Sequence, residues 1–380
     1  MDLYLRVGLA LISALLICFL ATPIVKAFAK KVGAIDVPDE ARRVHTHPIP
    51  RLGGLAIFLG FLLSVVLFGE IDKQVQGILL GSVVIVIVGA VDDVVPLPAL
   101  LKFAVQIVAA LIAVFHGVVI NIMSNPNVFS DSTFLQLGYL SIPITVIWIV
   151  AITNSVNLID GLDGLAVGVS AISSVTMLII ALVVSEMNVA VILAALAGAC
   201  VGFMPYNLNP AKIFMGDTGA LLLGYVLATV SVIGLFKFYA IISFAVPFLV
   251  IGLPLFDTAF SFIRRILHGR NPMSPDRGHF HHRLIDMGLS QKQAVAILYA
   301  ISAILGLAAV VITTSGEIRA LLLLVAILIA VVIAAFAIRG VSHENGHHAD
   351  RDGMHSAPTT SPKENREQDE PNRNGGGNEQ

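Results

Sequence analysis

Apolar runs near the length needed to cross a bilayer recur along most of this chain, separated by short polar loops. Eleven can be marked, at about 3–25, 52–69, 76–92, 100–120, 140–154, 162–184, 189–206, 218–236, 240–263, 294–313 and 318–339. A backbone in hydrocarbon must satisfy its own N–H and C=O groups, so runs of this length read as helices. The pattern predicts an all-α polytopic membrane protein of about eleven transmembrane helices. Gly252 and Pro254 interrupt the ninth run, which is tolerable where neighbouring helices shelter the freed backbone groups.

Polar residues then orient the runs. Only Arg6 precedes the first apolar run, while Lys26, Lys30 and Lys31 follow it, which predicts a retained helix with its N-terminus outside rather than a cleaved signal peptide. With eleven alternating helices the inner loops hold Arg42, Arg43, Arg51, Lys102, Lys212, Arg264, Arg265, Arg270, Arg277, Arg283 and Lys292. The outer ones hold little beyond Lys73 and Lys237. The excess of cations inside agrees with the rule and puts the C-terminus in the cytoplasm. From residue 340 aliphatic residues give way to Asn, Gly, Pro, Glu and His, too little apolar surface to offset ordering entropy. The expected division is therefore a membrane-embedded catalytic domain at 1–339 and a disordered cytoplasmic tail at 340–380, whose histidines are read as solvated.

Composition sharpens the class. The 380 residues are 57% hydrophobic and 13% charged, which excludes an ordinary soluble domain, where about a quarter of residues are charged. A net charge of -2 supplies no field for nucleic acid. Cys18 and Cys200 lie in apolar runs without metal or redox spacing and read as small core residues.

The candidate chemistry falls on one side. Asp92-Asp93 closes the third helix, Asn154-Ser-Val-Asn157-Leu-Ile-Asp160-Gly-Leu-Asp163-Gly164 follows the fifth, Gly216-Asp217-Thr218-Gly219 opens the eighth, and Gly278-His279-Phe280-His281-His282-Arg283 follows the ninth. The parity of the helices puts all four motifs in the cytoplasm. Acids at membrane-helix ends are expensive unless paired or bound to a cation, so a one-sided cluster marks a site. An isolated Asp92-Asp93 pair would read equally well as solvated loop residues. Oxygen-rich side chains without thiols suit a hard cation that keeps several waters, Mg²⁺ above all, with Mn²⁺ able to substitute.

Asp160-Gly-Leu-Asp163-Gly is not a calcium loop, because Leu162 and Ala171 stand where that pattern needs oxygen ligands. Gly161 and Gly164 instead suggest close approach of a ligand at a helix start, where phosphate is the natural anion. For Gly216-Asp217-Thr218-Gly219 a plain helix cap by Asp217 or Thr218 competes with a functional role. Phe214 reads either as a membrane anchor or as a platform for a base. His279, His281 and His282 with Arg277 and Arg283 offer donors to phosphate oxygens, and their spacing matches no zinc signature. Arg42, Arg43, His45, His47 and Arg51, followed by Gly53-Gly54, are compatible with lipid headgroup contact and topology. Asp257, about two turns inside the ninth helix, is left without a role.

Together the four motifs resemble the polyprenyl-phosphate N-acetylhexosamine-1-phosphate transferases, specifically the bacterial undecaprenyl-phosphate N-acetylglucosamine-1-phosphate transferases that begin teichoic acid, O-antigen or related glycan synthesis. The likeness covers residues 1–339. It implies transfer of N-acetylglucosamine 1-phosphate from UDP-N-acetylglucosamine to undecaprenyl phosphate at the bacterial plasma membrane, with Mg²⁺ required and UMP released. It further implies catalytic roles for Asp92, Asp93, Asp160, His279, His281 and His282. Asp217 is the implied magnesium ligand, assisted by Asn157. Lys102 is implied to bind phosphate, Asp163 to hold the nucleotide, and Phe214 to stack on uracil, with Asn154, His45, Arg51, Arg277 and Arg283 among the substrate contacts. A homodimer is compatible with this reading.

One departure concerns the acidic motif, often Asp-Asp-x-x-Asp in the family; here Asp92-Asp93-Val94-Val95-Pro96 lacks the third acid. The pattern His279-Phe280-His281-His282 resembles the N-acetylglucosamine branch, whereas the muramoyl-pentapeptide branch typically has three consecutive histidines followed by Phe. A cation-coupled transporter is the competing class, but it would place its acids near the bilayer midplane, often in inverted repeats.

Overall fold

Helix α8 (Gly216–Gly234) is enclosed along nearly its whole length by α2 (Gly54–Phe68), α3 (Lys73–Val94), α5 (Ser141–Ile159), α6 (Leu165–Val183) and α7 (Met187–Asn207). The computed structural model describes residues 2–37, 48–124, 134–234, 245–269 and 278–315. All of these belong to one unit, Met1–Leu323, and the second unit, Leu324–Gln380, lies outside them. Around α8, α1 (Leu3–Val32) packs on α7 and α2, α4 (Ala99–Phe115) on α3 and α5, and α12 (Gln291–Thr314) on α6. Helix α9 (Ala245–Val250) leads into α10 (Gly252–Leu267), which lies on α5, and the short α11 (Phe280–Asp286) precedes α12.

Seven described helices are long and apolar enough to cross a membrane, and α2 and α4 are shorter apolar helices, so the chain is an all-α polytopic membrane protein. The eleventh apolar run and residues 340–380 lie outside the described residues. The ninth run is two helices rather than one. Pro254 has no N–H to offer the carbonyl of Val250, and the hydroxyl of Ser173 donates to that oxygen instead at 2.8 Å. The sequence reading also missed two short antiparallel hairpins. Strand β1 (Ile35–Asp36) pairs with β2 (Ile49–Pro50), and β3 (Ile122–Ser124) with β4 (Phe134–Gln136).

Small residues let the central helices meet at backbone distance. A side chain at Gly54 would collide with Gly219, and one at Gly89 with the backbone of Thr218, which fixes α2 and α3 against the start of α8. The N–H groups of Gly53 and Gly54 donate to the carbonyls of Phe214 and Met215, each at 2.9 Å, and Phe214 N–H donates to Pro50 O at 2.9 Å. The first hairpin is thus stitched to the segment that carries Asp217.

Candidate active site

Helix α8 begins without a cap of its own. Gly216 takes φ +68, a turn that a side chain would strain and fill with a clash against Asp93. The orphan N–H groups beyond it are taken up from another helix: Asp93 on α3 accepts Asp217 N–H at 3.0 Å, Thr218 N–H at 3.1 Å and the Thr218 hydroxyl at 2.6 Å. The competing reading of Asp217 or Thr218 as a plain cap of α8 is thereby set aside. Arg51 Nε lies 3.5 Å from the same carboxylate and its Nη1 3.7 Å from Asp36. Both oxygens of Asp93 are therefore engaged.

Asp92, its neighbour, accepts Leu97 N–H at 2.7 Å and holds Lys102 Nζ at 3.0 Å; the same ammonium reaches Asp217 at 2.8 Å. Lys102 is a bridge between two acids from α3 and α8. Asp92, Asp93 and Lys102 stand behind Asp217, which itself lines a cavity of about 730 Å³. A cavity of that size matches a small-molecule ligand.

Asn157, Asp160, Asp163, Arg51, Phe214 and His282 line the same cavity. Asn154 and Asn157 sit in the last turns of α5, not in a loop after it. Asn154 turns to α4, exchanging hydrogen bonds with Gln106, and is absent from the cavity wall. Asp163 braces the wall: its Oδ2 accepts Asn209 Nδ2 and Ala211 N–H, each at 3.0 Å. Asn209 in turn donates to Gln291 at the start of α12 at 2.6 Å. Gly161 lines the cavity and Gly164 does not, and protein fills the directions in which side chains at the two glycines would point. His281 fills the place of a side chain at Gly161, and Leu208 and the Tyr299 hydroxyl that at Gly164. Tyr299 donates to the Gly164 carbonyl, tying α12 to the start of α6.

The histidines separate by role. His279 Nδ1 lies 2.9 Å from Asp257, which also accepts Phe280 N–H at 2.8 Å, so Asp257 anchors the start of α11. His281 is buried, stacks on His279 at 5.7 Å and faces Gly161. Burial, reinforced by His282 and His279 and opposed by Asp257, pushes its imidazole down to about 4, so it is neutral at pH 7. Only His282 of the three lines the cavity. Arg283 stacks over Phe260 at 5.1 Å and belongs to the α10–α11 contact. His45 and Arg277 lie outside the described residues.

Sequence reasoning missed part of the lining. Lys26, Lys30 and Lys212 were assigned to topology, yet all three border the cavity, as do Asn207, Asn209 and Gln291. Asn207 is 2% exposed; its amide donates to Ile213 O at 3.1 Å while its Oδ1 has no partner, a buried acceptor in the wall one residue before Leu208.

Among the described residues no three His, Cys, Asp or Glu side chains converge as a metal cage. Mg²⁺ does not need one, since it is held by one or two carboxylates, waters and substrate phosphates. Asp217, Asp160 and Asn157 in one wall fit that donor set. Burial, together with the nearby Asp217 and Asp93, drives the Asp160 carboxyl up to about 8 against the pull of Arg51, although part of its surface remains open. This crowding of negative charge favours a cation.

Comparison with known proteins agrees with the motifs. The model of glycosyl transferase family 4 matches residues 75–235. The chain is 40% identical to the probable undecaprenyl-phosphate N-acetylglucosaminyl 1-phosphate transferase of Bacillus subtilis over 82% of its own length and 86% of the relative's. It is 34% identical to the undecaprenyl-phosphate alpha-N-acetylglucosaminyl 1-phosphate transferase of Thermotoga maritima, over 70% and 78% of the two chains. The phospho-N-acetylmuramoyl-pentapeptide-transferase of Staphylococcus aureus is more distant, 29% identical over 77% and 95%. With that identity sustained across most of both chains, and with Asn157, Asp160, Asp163, Asp217 and His282 of its motifs lining one cavity, this chain belongs to glycosyl transferase family 4, among the polyprenyl-phosphate phospho-sugar transferases.

Proposed function

We propose that this protein transfers N-acetylglucosamine 1-phosphate from UDP-N-acetylglucosamine to undecaprenyl phosphate, giving undecaprenyl-diphospho-N-acetylglucosamine and UMP. The observation that carries the reading is the shared wall of one cavity. Asp217, Asn157 and Asp160 form an oxygen-rich side, and Phe214 contributes an aromatic side suited to stacking on a base such as uracil. The names of the B. subtilis and T. maritima relatives support the same acceptor and sugar.

The lipid phosphate oxygen attacks the sugar-linked phosphorus, the bond from that phosphorus to the bridging oxygen breaks, and UMP leaves with the bond's electrons. The Asp93 carboxylate is fully engaged by the start of α8, which disfavours it as a nucleophile and leaves Asp160 as the carboxylate for a two-step alternative to direct attack. Asp217, Asn157 and Asp160 would hold Mg²⁺, which when bound supplies charge neutralisation on the diphosphate. Lys102 fixes Asp217 against Asp92, and His282 and Arg51 offer donors to phosphate oxygens. The site faces the cytoplasm in this reading, where the nucleotide sugar is.

Donor choice tests it. Protein purified in detergent with undecaprenyl phosphate and Mg²⁺ is expected to convert UDP-N-acetylglucosamine and to leave UDP-N-acetylmuramoyl-pentapeptide unused. The reverse preference contradicts the proposed donor, and EDTA-insensitive conversion contradicts the metal.

A further inference from the structure

Lys26 and Lys30 lie one turn apart near the end of α1, and Lys212 comes from the segment between α7 and α8; all three line the cavity. Lys26 is half-buried, while Lys30 and Lys212 are exposed. They stand close enough for Lys26 to feel the charges of both others, and none of the three is paired with a carboxylate among the described residues. Gathering like charges costs free energy, and an anion bound between them offsets that cost.

Their position narrows the anion. Lys212 precedes Phe214 by two residues, and its N–H donates to Tyr206 O at 2.8 Å, immediately before Asn207. Lys212 therefore shares a segment with the aromatic ring that suits a nucleobase. Lys30, at the end of α1 just before the strands that lead to Arg51, and Lys212, between α7 and α8, open to solvent, which suits a water-soluble anion better than one held at bilayer depth. Lys102, by contrast, is committed to Asp92 and Asp217.

We infer that Lys26, Lys30 and Lys212 form a phosphate-binding subsite for the diphosphate of the nucleotide-sugar donor, separate from the Lys102 bridge. The inference rests on the proposed donor and adds the residues that draw it in. Substituting all three removes attraction for the donor without touching Asp217, so it raises KM and leaves kcat. Because screening acts on long-range attraction, the effect is also salt-dependent.

The test compares wild type with Lys26→Gln/Lys30→Gln/Lys212→Gln and with the matching triple Arg variant, all in detergent. Binding of UDP-N-acetylglucosamine and of uridine is measured by calorimetry, and KM for each substrate by UMP release. The expected result is at least about tenfold weaker UDP-N-acetylglucosamine binding and a matching rise in its KM. Uridine affinity, kcat and KM for undecaprenyl phosphate stay within about twofold, and the Arg variant recovers most of the loss. An equal loss of uridine binding, a rise confined to the KM for undecaprenyl phosphate, or no change at all overturns the subsite. Wild-type protein that neither binds UDP-N-acetylglucosamine nor releases UMP overturns the proposed donor as well, so the two failures are told apart.

Discussion

Asp217 is held by groups from two other helices: Asp93 of α3 receives its N–H, Lys102 of α4 pairs with its carboxylate, and Lys102 is shared with Asp92 of α3. Replacing the carboxylate with an amide keeps an oxygen for Lys102 and removes the charge a divalent cation needs. Asp217→Asn is expected to lose about a thousandfold in kcat, the equivalent of several kcal/mol of charge stabilisation, with thermal stability near wild type. Near-normal turnover would remove Asp217 from the metal site. His281 carries a prediction about pH. Its folded-state value of about 4 lies below the ordinary 6.5, so between those limits the unfolded chain binds more protons and stability falls as pH falls. A loss of stability of about 2 kcal/mol between pH 7 and 5, seen as a lower melting temperature, is expected in wild type and should shrink in His281→Gln. Identical pH profiles for the two proteins would show that His281 is protonated without cost. The residue types of the site were readable from the sequence, but their pairing was not. Asp257 had no assigned role because its partner, His279, comes from a different helix.

At the scale of elements, the start of α8 is the part most dependent on its neighbours. Asp93→Ala leaves the N–H groups of Asp217 and Thr218 and the Arg51 guanidinium without their acceptor. Such a change is expected to cost about 3 kcal/mol and to weaken activity by loosening Asp217. Asp93→Asn, which keeps one acceptor, should fall between. Stability of Asp93→Ala equal to wild type would mean that water caps α8 as well as the carboxylate does. Helices were legible because hydrophobic runs of bilayer length leave few alternatives. The break at Val250 was foreshadowed by Gly252 and Pro254, whereas its repair by Ser173 was not, since a hydroxyl on α6 carries no signal of its target. The two hairpins escaped because strands of two or three residues leave no alternating pattern to read.

Across the whole molecule, function comes from bringing chemistry from distant stretches to one cavity. Its lining runs from Lys26 to Gln291, and it is ordered by contacts of Asp163 with Asn209 and Gln291 and of Tyr299 with Gly164. The resemblance located the four motifs and thus the oxygen-rich part of this wall. It left out the lysines of α1, which charge counting along the chain had assigned to membrane orientation. The central claim is that this cavity moves a phospho-sugar from a uridine nucleotide to a lipid phosphate. The most direct measurement is UMP release by purified protein in detergent with UDP-N-acetylglucosamine, Mg²⁺ and undecaprenyl phosphate, each omitted in turn. Release that needs all three, matched by lipid-linked diphospho-N-acetylglucosamine, is the predicted result. UMP formed equally well without the lipid, or no UMP from folded protein with every component present, would contradict it.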